Sequence, residues 1–142
     1  MEMKCIEQQL LGEGRYKITF NHDALEDLRI DLSELPEEKR YGIARRFLAA
    51  SATWCTCGVL KYALKARGVN ISDMTAESSV QMGKDEKGRN VVVRIDIDIS
   101  VDIPEENRED LERYHRLVEA GCLVSRSLER GIEVNHSITL KD

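Results

Sequence analysis

The chain has 142 residues, with 42% hydrophobic residues to form a core and 33% charged residues to cover it, so we expect residues 1–142 to form a single domain. Its net charge of −5 and its lack of a dense Lys/Arg patch argue against nucleic acid as a partner. No run approaches the roughly 18 apolar residues of a membrane span, and the start MEMKCIEQQL is unlike a signal peptide. We therefore expect a cytoplasmic protein that does not bind membranes. In such a protein, four cysteines suggest redox or metal chemistry.

The first third of the chain is predicted to contain three short strands followed by helical sequence. The stretches with strand-like composition or alternation are residues 2–10, 15–20 and 28–32. Gly12–Gly14 separates the first two stretches and is typical of a turn. Ser33 is a suitable helix cap, and a polar helix is predicted to begin near Pro36 and to continue through Gly42 into the next element.

The longest predicted element is a helix from Arg45 to Gly68, with the sequence RRFLAASATWCTCGVLKYALKARG. Its apolar residues point all round the axis, which is typical of a helix in the protein interior. Cys55, Cys57 and the only tryptophan, Trp54, lie at its centre. We therefore expect the thiols to lie in a closely covered place.

The remainder of the chain is predicted to form two strands, two helices and a last strand. Period-two alternation marks the strands at residues 74–82 and 91–103, and Pro104 begins the first helix. Gly121 interrupts the helical sequence, which continues from Cys122 to Gly131. The segment IEVNHSITL is predicted to be the last strand. The predicted order is βββ-α-ββ-αα-β, an α+β chain.

The cysteine spacing restricts which thiols can act together. Cys55 and Cys57 lie about 200° apart around a helix axis, so they cannot easily form a disulfide or a zinc pair. Cys122 follows Gly121 and opens a helix, where backbone N–H groups and the helix dipole lower a thiol pKa. The spacing alone leaves two interpretations open: a redox pair between distant thiols, or inert cysteines in the core.

Two segments, LAASATWCTCGVLKYALKARG and VEAGCLVSRSL, resemble the OsmC/Ohr family of osmotically induced and organic-hydroperoxide-resistance proteins. In that family a basic residue and a glycine follow the reactive cysteine, the glycine about thirteen positions on, and Gly68 is thirteen positions after Cys55. The resemblance gives Cys55 the peroxidatic position and Cys122 the position of the second thiol. Leu123 stands where the family usually has proline.

This resemblance implies an OsmC-like fold, with antiparallel strands around a long buried central helix in an intertwined homodimer. It also implies a thiol-dependent peroxidase of oxidative stress defence, reducing organic or hydrogen peroxides without a cofactor. Cys55 would be oxidised to a sulfenic acid, Cys122 would condense with it to an intramolecular disulfide, and an external thiol or dithiol would reduce the pair.

Two further positions concern the activation of the thiol. The resemblance implies an arginine from the amino-terminal hairpin, which matches Arg15, with Arg29 as a rival. It also implies a glutamate at the start of the central helix, but Arg45 stands there. The alternative interpretation is therefore a non-enzymatic redox-sensing or ligand-binding protein on the same scaffold.

Other candidate residues have simpler interpretations. Cys57 is either a core residue or, if the register differs, the nucleophile, and Trp54 either packs in the core or lines a substrate pocket. His136 is expected to be a core histidine on the last strand. Cys5 is expected to be inert. The carboxylates that could suggest a metal site share one strand face that we expect to be solvated and metal-free: Asp96, Asp98 and Asp102.

Overall fold

The first strands form a three-stranded antiparallel sheet in the computed structural model, which describes residues 2–141. Its strands are β1 (Ile6–Gly12), β2 (Arg15–Phe20) and β3 (Leu28–Asp31), and β2 lies in the middle. Tyr16 pairs with Ile30, so the two strands place apolar residues side by side. The three predicted strands are thus confirmed.

The chain divides into two units, Met1–Ile43 and Ala44–Asp142. The three-stranded sheet belongs to the first unit, and both thiols of interest belong to the second. The single domain expected for residues 1–142 stays a prediction.

The predicted polar helix before the central helix is wrong. Only a single 3-10 turn forms, over Glu37–Lys39. Gly42 has a φ of 94°, a left-handed conformation that ends any helical path before the central helix begins. Ser33 does not cap a helix, because its backbone N–H and its hydroxyl both donate to the Asp31 carboxylate.

The central helix, α1, spans Ile43–Ala66 and confirms the long helix that the sequence predicts. One stripe of its surface is buried within the chain, at positions three or four apart: Ala49, Ala52, Thr56, Leu60 and Leu64. Trp54 is 83% exposed and Tyr62 is 77% exposed. Burial on every side, as the apolar composition led us to expect, is therefore not achieved within a single chain.

The hairpin of β4 (Asp73–Lys84) and β5 (Asn90–Asp102) forms the second sheet. Its alternation is as predicted over most of β5, with isoleucines half-buried and aspartates exposed. Arg94 and Val92 pair with the consecutive residues Gln81 and Met82, so Val93 is left in a bulge and is exposed.

The core of the second unit lies between α1, β5 and the helix that follows. Its buried members are Leu60, Leu64, Val69, Ile103 and Tyr114. Val69 follows α1 closely, and its N–H donates to the Leu64 carbonyl as the helix ends. This cluster fixes the carboxyl-terminal half of α1 against the chain that leads to the second cysteine.

Two helices follow the hairpin, as predicted. A 3-10 turn over Glu105–Asp110 leads into α2 (Leu111–Glu119), and α3 spans Leu123–Arg130. Gly121 lies between the helices with a φ of 92°, which a side chain would disfavour.

The predicted last strand is wrong for the chain as described. Residues 132–141 have no regular structure, and Ile138 and Leu140 are each 95% exposed. His136 is exposed as well, so it is not the core histidine that the sequence suggested. A strand needs a neighbour for its backbone hydrogen bonds, and no strand within residues 2–141 pairs with this segment.

One helical stretch, Glu37–Ala66, is long and apolar enough to cross a membrane by length and composition alone. Core helices of α+β proteins meet the same criterion, and this stretch includes the 3-10 turn and the break at Gly42. We interpret it as the central helix of an α+β fold.

Candidate active site

The second cysteine is held at the start of α3 by a reciprocal pair of hydrogen bonds. The Ser125 backbone N–H donates to Cys122 Sγ at 3.3 Å, and the Cys122 N–H donates to Ser125 Oγ at 2.9 Å. A Cβ on Gly121 would come within 3.1 Å of Ser125 Oγ. Glycine therefore permits both the turn and the close approach that place Cys122 as the helix cap.

Cys55 on α1 lies at the same helix start. Burial and Cys122 raise the pKa of the Cys55 thiol, and the backbone N–H groups of Val124 and Leu123 lower it, so Cys55 lies beside the start of α3. Cys55 is half-buried, whereas Cys122 is only 3% exposed. The fold thus brings together two thiols that lie far apart in the sequence.

The two thiols differ in acidity. Burial raises the pKa of Cys122, but Cys55, Ser125 and the nearby Thr56 hydroxyl outweigh burial and lower this pKa from 9.0 to about 6. Burial, followed by the hydrogen bond to Cys122, raises the pKa of Cys55. The hydrogen-bond donors around Cys122 therefore favour a thiolate at Cys122 and leave Cys55 as the less acidic thiol of the pair.

Sequence reasoning missed two residues that set this arrangement. Thr56 is buried, donates its hydroxyl to the Ala52 carbonyl at 2.8 Å and lies 3.9 Å from Cys122 Sγ. Ser125 completes the cap. A hydroxyl three residues after a helix-opening residue is a detectable capping signal, whereas nothing local indicates the contact of Thr56 with Cys122.

The two cysteines of α1 face different cavities. Cys55 opens on a cavity of about 600 Å³, lined mainly by apolar atoms: Gly58, Val59, Tyr62, Ala63, Ala66, Arg67 and Leu117. Cys57 and Trp54 line a separate cavity of about 620 Å³ together with Arg45 and Arg46. Trp54 therefore accompanies Cys57 rather than Cys55. Burial is what raises the pKa of Cys57.

The activating groups implied by the resemblance are placed as follows. Arg15 begins β2 in the first unit, and its guanidinium folds over Gly12, where a Cβ would lie 2.6 Å from Nη2. Hydrogen bonds from Ser33 lower the pKa of the Asp31 carboxyl group, and the positive charge of Arg15 nearby lowers it further. Arg29 lies on β3. The first turn of α1 contains no acidic residue, in agreement with the departure seen in the sequence.

The acidic face of β5 shows no metal-binding geometry. Asp96 pairs with Arg94 at 2.9 Å, and both side chains are exposed. Within residues 2–141, no group of three or more His, Cys, Asp or Glu side chains is arranged to hold a metal ion.

A family model described as OsmC-like protein matches residues 45–137, well over half of the chain. The chain belongs to the OsmC-like family. The matched residues contain both Cys55 and Cys122, so the family assignment and the thiol pair concern the same part of the molecule. No curated protein matches the sequence significantly.

Solved OsmC-like structures share the fold. An OsmC-like protein of unknown function from Vibrio cholerae has a TM-score of 0.70 at 14% identity, covering 89% of this chain and 93% of its own. An OsmC-like protein from Mycoplasma pneumoniae has a TM-score of 0.67 at 14% identity, covering 91% and 89%. The organic hydroperoxide resistance protein OhrB of Bacillus subtilis has a TM-score of 0.54 at 22% identity, covering 87% and 89%. These likenesses confirm the α+β fold with a long central helix.

The acidity of the thiol pair gives a direct prediction. Thiolate ultraviolet absorbance of the reduced protein should correspond to about one thiolate per chain at neutral pH and should fall on acidification with a midpoint near pH 6. The sign follows because a lowered pKa keeps the thiolate until the pH drops through that value. Cys122→Ser should remove this transition, and Cys5→Ser should leave it unchanged. A first transition near pH 9 would contradict the described hydrogen bonds.

Proposed function

We propose that the protein is a thiol-dependent peroxidase that reduces organic or hydrogen peroxides in oxidative stress defence. The observation that carries this proposal is the meeting of Cys55 and Cys122 at the start of α3, where hydrogen bonds lower the pKa of the Cys122 thiol. Membership of the OsmC-like family supports it, as does the likeness in fold to a protein named for organic hydroperoxide resistance.

The proposed roles follow from exposure. Cys55 is half-buried and opens on an apolar cavity, so a peroxide with a hydrocarbon group can approach its Sγ. Cys122 is buried behind it and is suited to a second step. A thiolate at Cys55 attacks the O–O bond and becomes a sulfenic acid, and Cys122 then displaces hydroxide to form the disulfide.

The remaining parts of the proposal concern the reductant, the oligomeric state and the residues that support the reactive thiol. An external thiol or dithiol reduces the disulfide, no cofactor takes part, and the protein works as a cytoplasmic homodimer. Arg15 is proposed to support the reactive thiol, with Arg29 as its rival. Cys57, which faces the other cavity, is the alternative nucleophile.

A second candidate function is a redox-sensing or ligand-binding protein without turnover. One observation favours it: the first turn of α1 has no acidic residue, and Arg45 occupies the place of the expected glutamate. Such a protein would form its disulfide slowly or once, without sustained catalysis.

Peroxide turnover with dithiothreitol separates the two candidates. Hydrogen peroxide and tert-butyl hydroperoxide should each be tested with catalytic amounts of protein, followed by peptide mapping after stoichiometric peroxide. A peroxidase should consume many equivalents and yield a Cys55–Cys122 disulfide, with Cys5 and Cys57 reduced. Absence of turnover together with a slowly formed disulfide would favour the sensor, and absence of both would contradict the redox role.

A further inference from the structure

We infer that Cys122, besides forming the disulfide, is the base that takes the proton of Cys55 when Cys55 attacks the peroxide. The inference rests on the proposed peroxidase function and adds a role for Cys122 in the first chemical step. It accounts for how the thiol is activated in a chain whose central helix lacks an acidic residue at its start.

The geometry supports a proton acceptor at Cys122. Its Sγ accepts a hydrogen bond from the Ser125 backbone N–H at 3.3 Å and lies at the start of α3, where the helix dipole favours negative charge. The Thr56 hydroxyl, 3.9 Å away, can turn from the Ala52 carbonyl to donate to the same sulfur. The Cys55 thiol is the remaining donor, and it is also the group to be activated.

No carboxylate is among the described groups that contact Cys55 or Cys122, so none competes with Cys122 for the proton of Cys55. Cys55 and Thr56 approach Cys122 from α1, and Ser125 approaches from α3. Arg126 donates to the Gly121 carbonyl at 3.4 Å, one residue before the cap. Arg67 is the charged residue that lines the cavity of Cys55.

The steps balance in protons and electrons. The Cys122 thiolate takes the Cys55 proton, and the sulfur of Cys55 attacks the terminal oxygen of the peroxide. The S–O bond forms as the O–O bond breaks, so Cys55 is oxidised to a sulfenic acid while the peroxide is reduced to an alkoxide. The alkoxide takes the proton from Cys122 and leaves as an alcohol. The regenerated thiolate of Cys122 attacks the sulfenic sulfur, the S–S bond forms, and hydroxide leaves.

The test measures the first turnover alone, because a purely resolving thiol has no part in it. Tert-butyl hydroperoxide is mixed with excess reduced protein, and its loss is followed by rapid quench from about pH 6 to pH 9. Cys122→Ser keeps a good capping residue but removes the base, whereas Cys122→Asp keeps a capping residue that is also an anion. Cys5→Ser is the matched control for loss of a thiol away from the site.

We expect the parent rate to rise slightly between pH 6 and pH 7, where the pair completes the loss of its first proton, and to change little from there to pH 9. Cys122→Ser should react about 100-fold more slowly near neutral pH, the lower end of a typical base contribution, and should gain rate steadily towards pH 9. Cys122→Asp should recover a faster, pH-independent rate without forming the disulfide. Circular dichroism confirms that each variant is folded.

The inference is overturned if the Cys122→Ser profile coincides with that of the parent, or if the Cys122→Asp profile follows that of Cys122→Ser. Failure of the underlying peroxidase proposal has a different signature, since the parent would then consume no peroxide or Cys55→Ser would react as fast as the parent.

Discussion

Replacing Cys55 by serine should abolish peroxide consumption, leaving only the slow reaction of peroxide with the external thiol. Serine preserves the size of the side chain and the fold of α1, but a hydroxyl does not attack an O–O bond at neutral pH as a thiolate does. Cys55 is also the more accessible member of the pair, because Cys122 is buried, so Cys122 cannot replace it as the thiol that meets the peroxide.

Two of the other cysteines, Cys122 and Cys57, serve as comparisons for this variant. Cys122→Ser should complete a single turnover and accumulate a sulfenic acid at Cys55 that dimedone traps, because the resolving thiol is missing. Cys57→Ser should behave like the parent, since Cys57 faces a separate cavity with Trp54. An inactive Cys57→Ser variant with an active Cys55→Ser variant would show that the assignment of the nucleophile is wrong.

The local patterns of the sequence predicted helices and strands well where apolar and polar residues divide between two faces of the element. The alternation of β5 gave the hairpin strand, because aspartates and isoleucines prefer opposite faces of a sheet. The bulge at Val93 was not predicted, since it depends on the pairing of Arg94 and Val92 with β4. Likewise, the break at Gly42 depends on a backbone conformation that glycine permits but does not require.

The candidate site was predictable in part. The glycine and the helix opening around Cys122 indicated an acidic thiol, and the resemblance supplied its pairing with Cys55. Neither source indicated that Thr56 contacts Cys122 or that Cys122 is more acidic than Cys55, because both depend on how α1 and α3 meet. Contacts between residues 66 positions apart leave no periodic signal in the sequence.

The protein should be an obligate homodimer, with a sedimentation mass about twice the 16.2 kDa of one chain at micromolar concentration. Within a single chain, α1 leaves large apolar side chains exposed on the helix, notably Trp54 at 83% and Tyr62 at 77%. Covering an apolar side chain of this size contributes on the order of 3 kcal/mol. The segment 132–141 adds alternating apolar residues that lack a neighbouring strand in their own chain.

A second copy of the chain would satisfy both features, because it brings another central helix and further strand edges to the same surfaces. Trp54→Asp should therefore lower the sedimentation mass to that of one chain or leave the protein unfolded, since an obligate dimer has no stable folded monomer. Lys87→Asp, in the exposed turn between β4 and β5, is the matched control and should remain dimeric. A parent chain that sediments as a stable, folded monomer would contradict this prediction and would leave the exposed face of α1 to a different partner.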